Sequence, residues 1–177
     1  MSKKIAMIFS GQGSQAVGMG QDFYDNSELA REMFEKASER IGVDFKALIF
    51  EDNEQLAQTA FTQPAILLVQ MIAYRLFKEA CPQSKATLFL GHSLGEFSAL
   101  CASGAIDFED AIELVHKRGS FMQSACESIE AGMMAIVDVD FDGYLPVINE
   151  AIEVKVNESV HRTHHLDMLH DLEDDEG

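Results

Sequence analysis

Apolar residues first run together at Ile5–Phe9, and Ser10-Gly11-Gln12-Gly13 ends the run. A short apolar run closed by glycine predicts a buried strand. A glycine-rich loop follows through Gly20. Leu29, Met33, Phe34, Ala37 and Ile41 then recur at helical spacing. Asn26 or Ser27 is placed to cap that helix and Gly42 to end it. Residues 53–58 predict a short helix. A longer helix is expected from Thr62-Gln63-Pro64, with Thr62 as a possible cap and Pro64 in the first turn. Residues 65–77 are apolar on nearly every face, which calls for deep burial. Cys81-Pro82 stops this helix. Residues 86–90 predict a second strand, and 94–102 and 107–126 two helices, the latter opened by a loose capping box at Asp107 and Asp110. Residues 133–139 alternate like a strand, and 144–152 suit a short helix with Pro146 near its start. Strands alternating with helices predict an α/β fold with a mostly parallel sheet.

Composition sharpens this picture. The chain has 177 residues, 47% of them hydrophobic, which suits one folded domain or one domain plus a fragment. No apolar run approaches the ~20 residues of a membrane-spanning helix, and no secretory signal is recognised after Lys3 and Lys4. The net charge of −17 argues against nucleic acid as a partner. Cys81, Cys101 and Cys126 are too scattered for a zinc ribbon or a disulfide framework, so reduced thiols and a cytoplasmic location are expected. The charge is uneven: residues 150–177 hold two bases and nine acids, with His161, His164, His165 and His170 among them. This shift marks a boundary near residue 157, beyond which an acidic tail, 158–177, is expected to be disordered.

The chemistry concentrates at Gly91-His92-Ser93-Leu94-Gly95, between a predicted strand and a predicted helix. That is the G-x-S-x-G nucleophile elbow in the context it requires. The sharp turn lifts the serine clear of the backbone, the glycines let the turn close, and the helix N-terminus offers free N–H groups. The N–H of Leu94 is then placed to stabilise a tetrahedral oxyanion. A glycine-rich turn that happens to hold a serine is the plainer alternative. Gly11-Gln12-Gly13-Ser14-Gln15 lacks phosphate-loop spacing. In a parallel sheet it lies at the same edge as the elbow, so a backbone N–H near Gln12 can supply a second donor. Arg118 is either a solvated helix-surface residue or a fork-shaped clamp for a substrate carboxylate. Gln63 is either a helix-start residue or a polar group lining the site.

Taken together, Gly11-Gln12-Gly13-Ser14-Gln15, Gly18-Met19-Gly20, Phe61-Thr62-Gln63-Pro64-Ala65, Gly91-His92-Ser93-Leu94-Gly95-Glu96, Arg118-Gly119 with Met122-Gln123, and Met133-Met134-Ala135-Ile136-Val137 resemble the malonyl-CoA:acyl carrier protein transacylase family in order and spacing. The family usually has proline where this chain has Ser10. The resemblance covers about residues 4–140, roughly the first half of a family member. It implies an α/β-hydrolase-like acyltransferase core with a parallel sheet over 1–128, the start of a small ferredoxin-like subdomain over 129–157, and a truncated whole. It implies Ser93 as the nucleophile that takes malonyl from coenzyme A, Leu94 and Gln12 as oxyanion donors, Arg118 as the partner of the malonate carboxylate, and His92 and Gln63 beside the acyl group. The implied partners are malonyl-CoA and acyl carrier protein, in fatty-acid biosynthesis. No metal, no bound cofactor and no membrane are implied, and no oligomeric state is assigned.

No segment resembles the family's general-base histidine motif, and a serine hydroxyl is a poor nucleophile without a base. The tail histidines lie among polar residues with nothing to dock them at Ser93; His161 with His164 or His165 has near-helical metal-ligand spacing, but an unstructured tail is the favoured reading. Impaired catalysis and exposed apolar surface are therefore expected. Two other functions stay open: a general serine esterase or thioesterase using the same elbow, and a non-catalytic module that binds a carrier or a partner chain.

Overall fold

The computed structural model describes residues 4–52 and 54–126. The expected strand at 133–139, helix at 144–152, ferredoxin-like start at 129–157 and tail at 158–177 lie outside them. Two parallel strands, β1 (Ile5–Phe9) and β2 (Ala86–Gly91), form the sheet of the described residues. Between them run α1 (Gln21–Asn26), α2 (Glu28–Ile41), α3 (Phe45–Phe50), a 3₁₀ turn at Gln55–Ala57 and the long α4 (Thr59–Ala80). After β2 come α5 (Leu94–Ser103) and α6 (Phe108–Cys126). The α/β alternation and both strands match the hydrophobic pattern. α1 and α3 were not legible in it, and the helix expected over 53–58 is only the 3₁₀ turn.

Local chemistry explains several boundaries. Ser27 caps α2 by accepting from the Ala30 N–H, and Gly42 closes it at φ 70°, donating to Ser38 O. Asp44 caps α3 through the Ala47 N–H. α4 departs from expectation. It begins at Thr59, so Pro64 lies in its sixth position and Thr62 is inside the helix. The buried Thr62 hydroxyl donates to the carbonyls of Leu56 and Gln58 at 2.6 and 2.9 Å, and caps nothing.

α4 is long and apolar enough to cross a membrane by length and composition, but 56% of its most apolar 18-residue window is buried inside the protein. Its half from Thr62 to Leu68 is buried without a break, while Ala73–Phe77 is only half-buried. Leu67, Leu68, Met71 and Ile72 form the middle of the core with Met33, Phe45 and Ile49. α6 joins this core through Ile112 and Val115. At its outer edge Arg40 of α2 reaches Asp110 and Glu113 of α6, at 2.8 and 2.7 Å. Met7 and Phe89 are half-buried and Phe9 buried on one face of the sheet. The other face leaves Ile8, Leu88 and Leu90 exposed at 75, 50 and 44%.

Where β2 meets α5 the backbone is tight. A Cβ on Gly91 would lie 1.9 Å from the Gly95 carbonyl carbon, and one on Gly95 would lie 2.2 Å from Phe9 O. Both obstacles are backbone atoms that no side-chain rotation can move. Gly95→Ala should therefore cost about 3 kcal/mol in urea unfolding, at the upper end for overpacking. Gly104→Ala serves as a control: nothing lies within 4 Å of its Cβ position and its φ is 83°. It should cost about 1 kcal/mol, the left-handed backbone term alone. Equal losses would mean that the close approach is not the constraint.

Candidate active site

Ser93 stands at the turn between β2 and α5 with φ 54° and ψ −105°, the one non-glycine residue of positive φ among the described residues. Such a backbone costs roughly 1–3 kcal/mol and persists where neighbours over-determine it. Here they do. The His92 N–H donates to Phe9 O at 3.2 Å, continuing the sheet into the turn, and the Gly95 N–H donates to His92 O at 2.9 Å. The result is an exposed serine above the buried Leu94 and Gly95.

The loop after β1 comes to the elbow, as strand-end placement led us to expect. Gly11 is buried against His92, and a Cβ there would meet His92 O at 2.6 Å. Gln12 Nε2 donates to Thr59 Oγ1 at 3.2 Å, tying the loop to the start of α4. The Gly13 N–H is taken by Gln15 Oε1. Among the described residues the backbone N–H groups of Gln12 and Leu94 have no hydrogen-bond partner. They are two unspent donors on the two segments that meet at Ser93. His92 is exposed, and among the described residues its ring makes no hydrogen bond.

Arg118 is not a solvated surface residue. One Nη donates to Gln63 Oε1 at 2.7 Å and the other to Ser93 Oγ at 3.1 Å. Its guanidinium lies 5.4 Å from the Phe97 ring centre, on the first turns of α5. Among the described residues no carboxylate pairs with it. Gln63 is fully buried, and its Nε2 is directed at Met122 Sδ, 3.3 Å away. Expected to line the site, Gln63 instead sits behind it and holds Arg118. The helices carrying this pair touch backbone to backbone: a Cβ on Gly119 would lie 2.5 Å from Thr59 O.

Sequence reasoning missed Thr59, Phe97 and His116. Pro64 would point to a distant donor such as His116 only once α4 is known to start at Thr59, which the local pattern does not show. No histidine, aspartate or glutamate bonds to Ser93 Oγ among the described residues; its partner there is Arg118. Burial pushes the Cys101 thiol up, with Arg75 opposing and Asp107 adding to the shift. Among the described residues no cluster of three or more His, Cys, Asp or Glu could hold a metal. Cavities of ≈ 320 and ≈ 380 Å³ lie along α4 around Tyr74 and Phe77, and none of the elbow residues lines them.

Comparison with known proteins places the chain in a family. A malonyl CoA-acyl carrier protein transacylase of Haemophilus influenzae is 42% identical over 159 residues, covering 89% of this chain and 51% of the relative. A crystal structure of malonyl-CoA:acyl carrier protein transacylase from Helicobacter pylori superposes with a TM-score of 0.74 at 47% identity, over 84% of this chain and 48% of that one. A malonyl-transacylase structure in complex with its type II polyketide acyl-carrier protein superposes at 0.67 and 33% identity, over 87% and 50%. The chain thus spans about half the length of the relatives it matches. The profile of the acyl transferase domain matches residues 6–158, and the chain belongs to that family.

Proposed function

We propose that this chain carries the acyl-loading half of a malonyl-CoA:acyl carrier protein transacylase of fatty-acid biosynthesis, with Ser93 as the acylated residue. The observation that carries the reading is Arg118, a guanidinium joined to the elbow serine and held from behind by a neutral amide. A neutral partner leaves the positive charge uncompensated, so a carboxylate on the acyl group can take it. An ordinary esterase site has no use for such a group.

In this reading Ser93 Oγ attacks the thioester carbonyl of malonyl-CoA. The Oγ–C bond forms, the C–S bond breaks, and coenzyme A leaves as a thiol with the serine proton. The N–H groups of Leu94 and Gln12 receive the transient oxyanion. Arg118 keeps the far carboxylate in place, and His92 flanks the acyl group. The phosphopantetheine thiol of acyl carrier protein then attacks the Ser93 ester, and Oγ regains its proton as the C–O bond breaks. The relative solved with its carrier protein supports the second half of this cycle. Coenzyme A serves as a substrate carrier, and the reading calls for no metal or bound cofactor. Cys81 and Cys101 are free thiols, which suits a cytoplasmic location.

The proton acceptor belongs outside the described residues. Losing the base of such a serine costs several orders of magnitude, with residual catalysis left by the oxyanion donors. Intact mass after incubation with malonyl-CoA should show one malonyl adduct on the wild type and none on Ser93→Ala. An adduct that survives Ser93→Ala would end the nucleophile assignment, and a folded wild type that never gains one would favour a non-catalytic binding module.

The clamp has its own test. A charge-assisted hydrogen bond contributes about 1.5–3 kcal/mol. Arg118→Ala should thus lower the preference for malonyl over acetyl thioesters by roughly 10- to 100-fold. An unchanged preference would point to a general esterase.

A further inference from the structure

Pro64 lies within α4 and has no N–H. The carbonyl four residues earlier, that of Ala60, therefore lacks its helical donor, and Ala60 is buried. A buried carbonyl without a partner is costly. The missing donor comes from α6: His116 Nδ1 lies 2.9 Å from Ala60 O. A carbonyl only accepts, so Nδ1 carries the hydrogen and the tautomer is fixed. The ring also packs 5.9 Å from the Phe61 ring. On the other side of Ala60, its N–H donates to Gln123 Oε1 at 3.5 Å.

The two helices are thus keyed together at one turn. His116 and Arg118 sit two residues apart on α6; Ala60 and Gln63 sit three apart on α4. Between α4 and α6 run the His116–Ala60 bond and the Arg118–Gln63 bond, with Gly119 letting the backbones close. A helix sliding on its neighbour would break both together. We infer that His116 is a positioning residue: by donating to the carbonyl that Pro64 strands, it sets the register of α6 on α4 and so the place of Arg118 at Ser93. The placement stands on the geometry alone; its meaning for malonyl selection rests on the function proposed above.

Nitrogen-15 NMR of the labelled chain tests it without requiring turnover. The neutral His116 ring should show a protonated Nδ1 and a bare Nε2. A ring protonated at Nε2 would overturn the inference on the wild type alone, whatever the variants do. Arg118 should show separate Nη signals, because Gln63 and Ser93 hinder rotation of the guanidinium. His116→Phe keeps the ring shape and loses the donor, and should merge those signals. His116→Asn places an amide donor near the Nδ1 position and should keep them apart. His116→Leu serves as a second donor-less variant, judged by its dispersed amide spectrum. Arg118 signals unchanged in a folded donor-less variant would overturn the inference.

Free malonate then links the device to function. Its affinity should fall on the order of 10-fold in His116→Phe and recover in His116→Asn. Malonate bound equally well by wild type and His116→Phe would overturn the positioning role. A wild type that keeps the Nδ1–H tautomer and the hindered Arg118, yet binds no malonate, would instead overturn the proposed function and leave the positioning intact.

Discussion

The site depends on a guanidinium whose charge is held but not cancelled. The chain carries 30 acidic residues, yet among the described ones Arg118 meets an amide, a hydroxyl and an aromatic face, and no carboxylate. In so acidic a chain that is a demanding arrangement. A glutamate in place of Gln63 would make a stronger pair and a useless one, because the charge would already be spent. A neutral amide fixes the fork at 2.7 Å and leaves its attraction available to an arriving anion. Phe97 adds direction without neutralisation, since a ring face attracts a cation weakly and in one plane. Three helices contribute to this one group, and the backbone contact at Gly119 is what lets two of them come close enough.

The elbow obeys the same logic with strain in place of charge. Ser93 holds a backbone that only glycine adopts easily, and it does so because β2, α5 and the end of β1 leave no alternative. The short distances at Gly91 and Gly95 show how little space the turn has. With the serine fixed by the sheet and the arginine fixed by the helices, their 3.1 Å contact is the join between two separately built halves of the site. Each half is held by its own contacts, the elbow by backbone hydrogen bonds and the arginine by Gln63 and Phe97.

What the sequence shows and what it hides divides along the range of the interaction. The elbow, the strands and the ends of α2 are local: Gly91, Gly95 and Gly42 could be read directly, and Ser27 was one of two candidate caps. The start of α4 could not. Proline in a first turn is the usual local rule, and it was overridden because a residue 56 positions later relieves the stranded carbonyl. Gln63 was read as a helix-start residue or a polar group lining the site; pattern identifies a polar residue near a site, but not that its amide accepts from Arg118. His116 was invisible because its partner is a backbone carbonyl, which leaves no mark in side-chain spacing. Arg118 was ambiguous until the resemblance favoured a clamp, and the geometry joins it to Ser93.

The division of labour in the chemistry follows from this construction. On the proposed reading, nucleophile, oxyanion donors and carboxylate clamp all fall within residues 4–126, on elements that pack against one another. The proton acceptor does not. Selection of the acyl group and transfer of the proton are then separable tasks on separable stretches of polypeptide. Selection needs a rigid cradle, because a carboxylate is recognised by distance and angle. Proton transfer needs one group brought within hydrogen-bond reach, and that group can come from elsewhere. The sheet leaves Ile8, Leu88 and Leu90 bare on its second face, while the face beneath the elbow is covered. The contacts that place Ser93 and Arg118 run through Gly91, Gly95, Gly119 and Gln63, and none of them uses Ile8, Leu88 or Leu90.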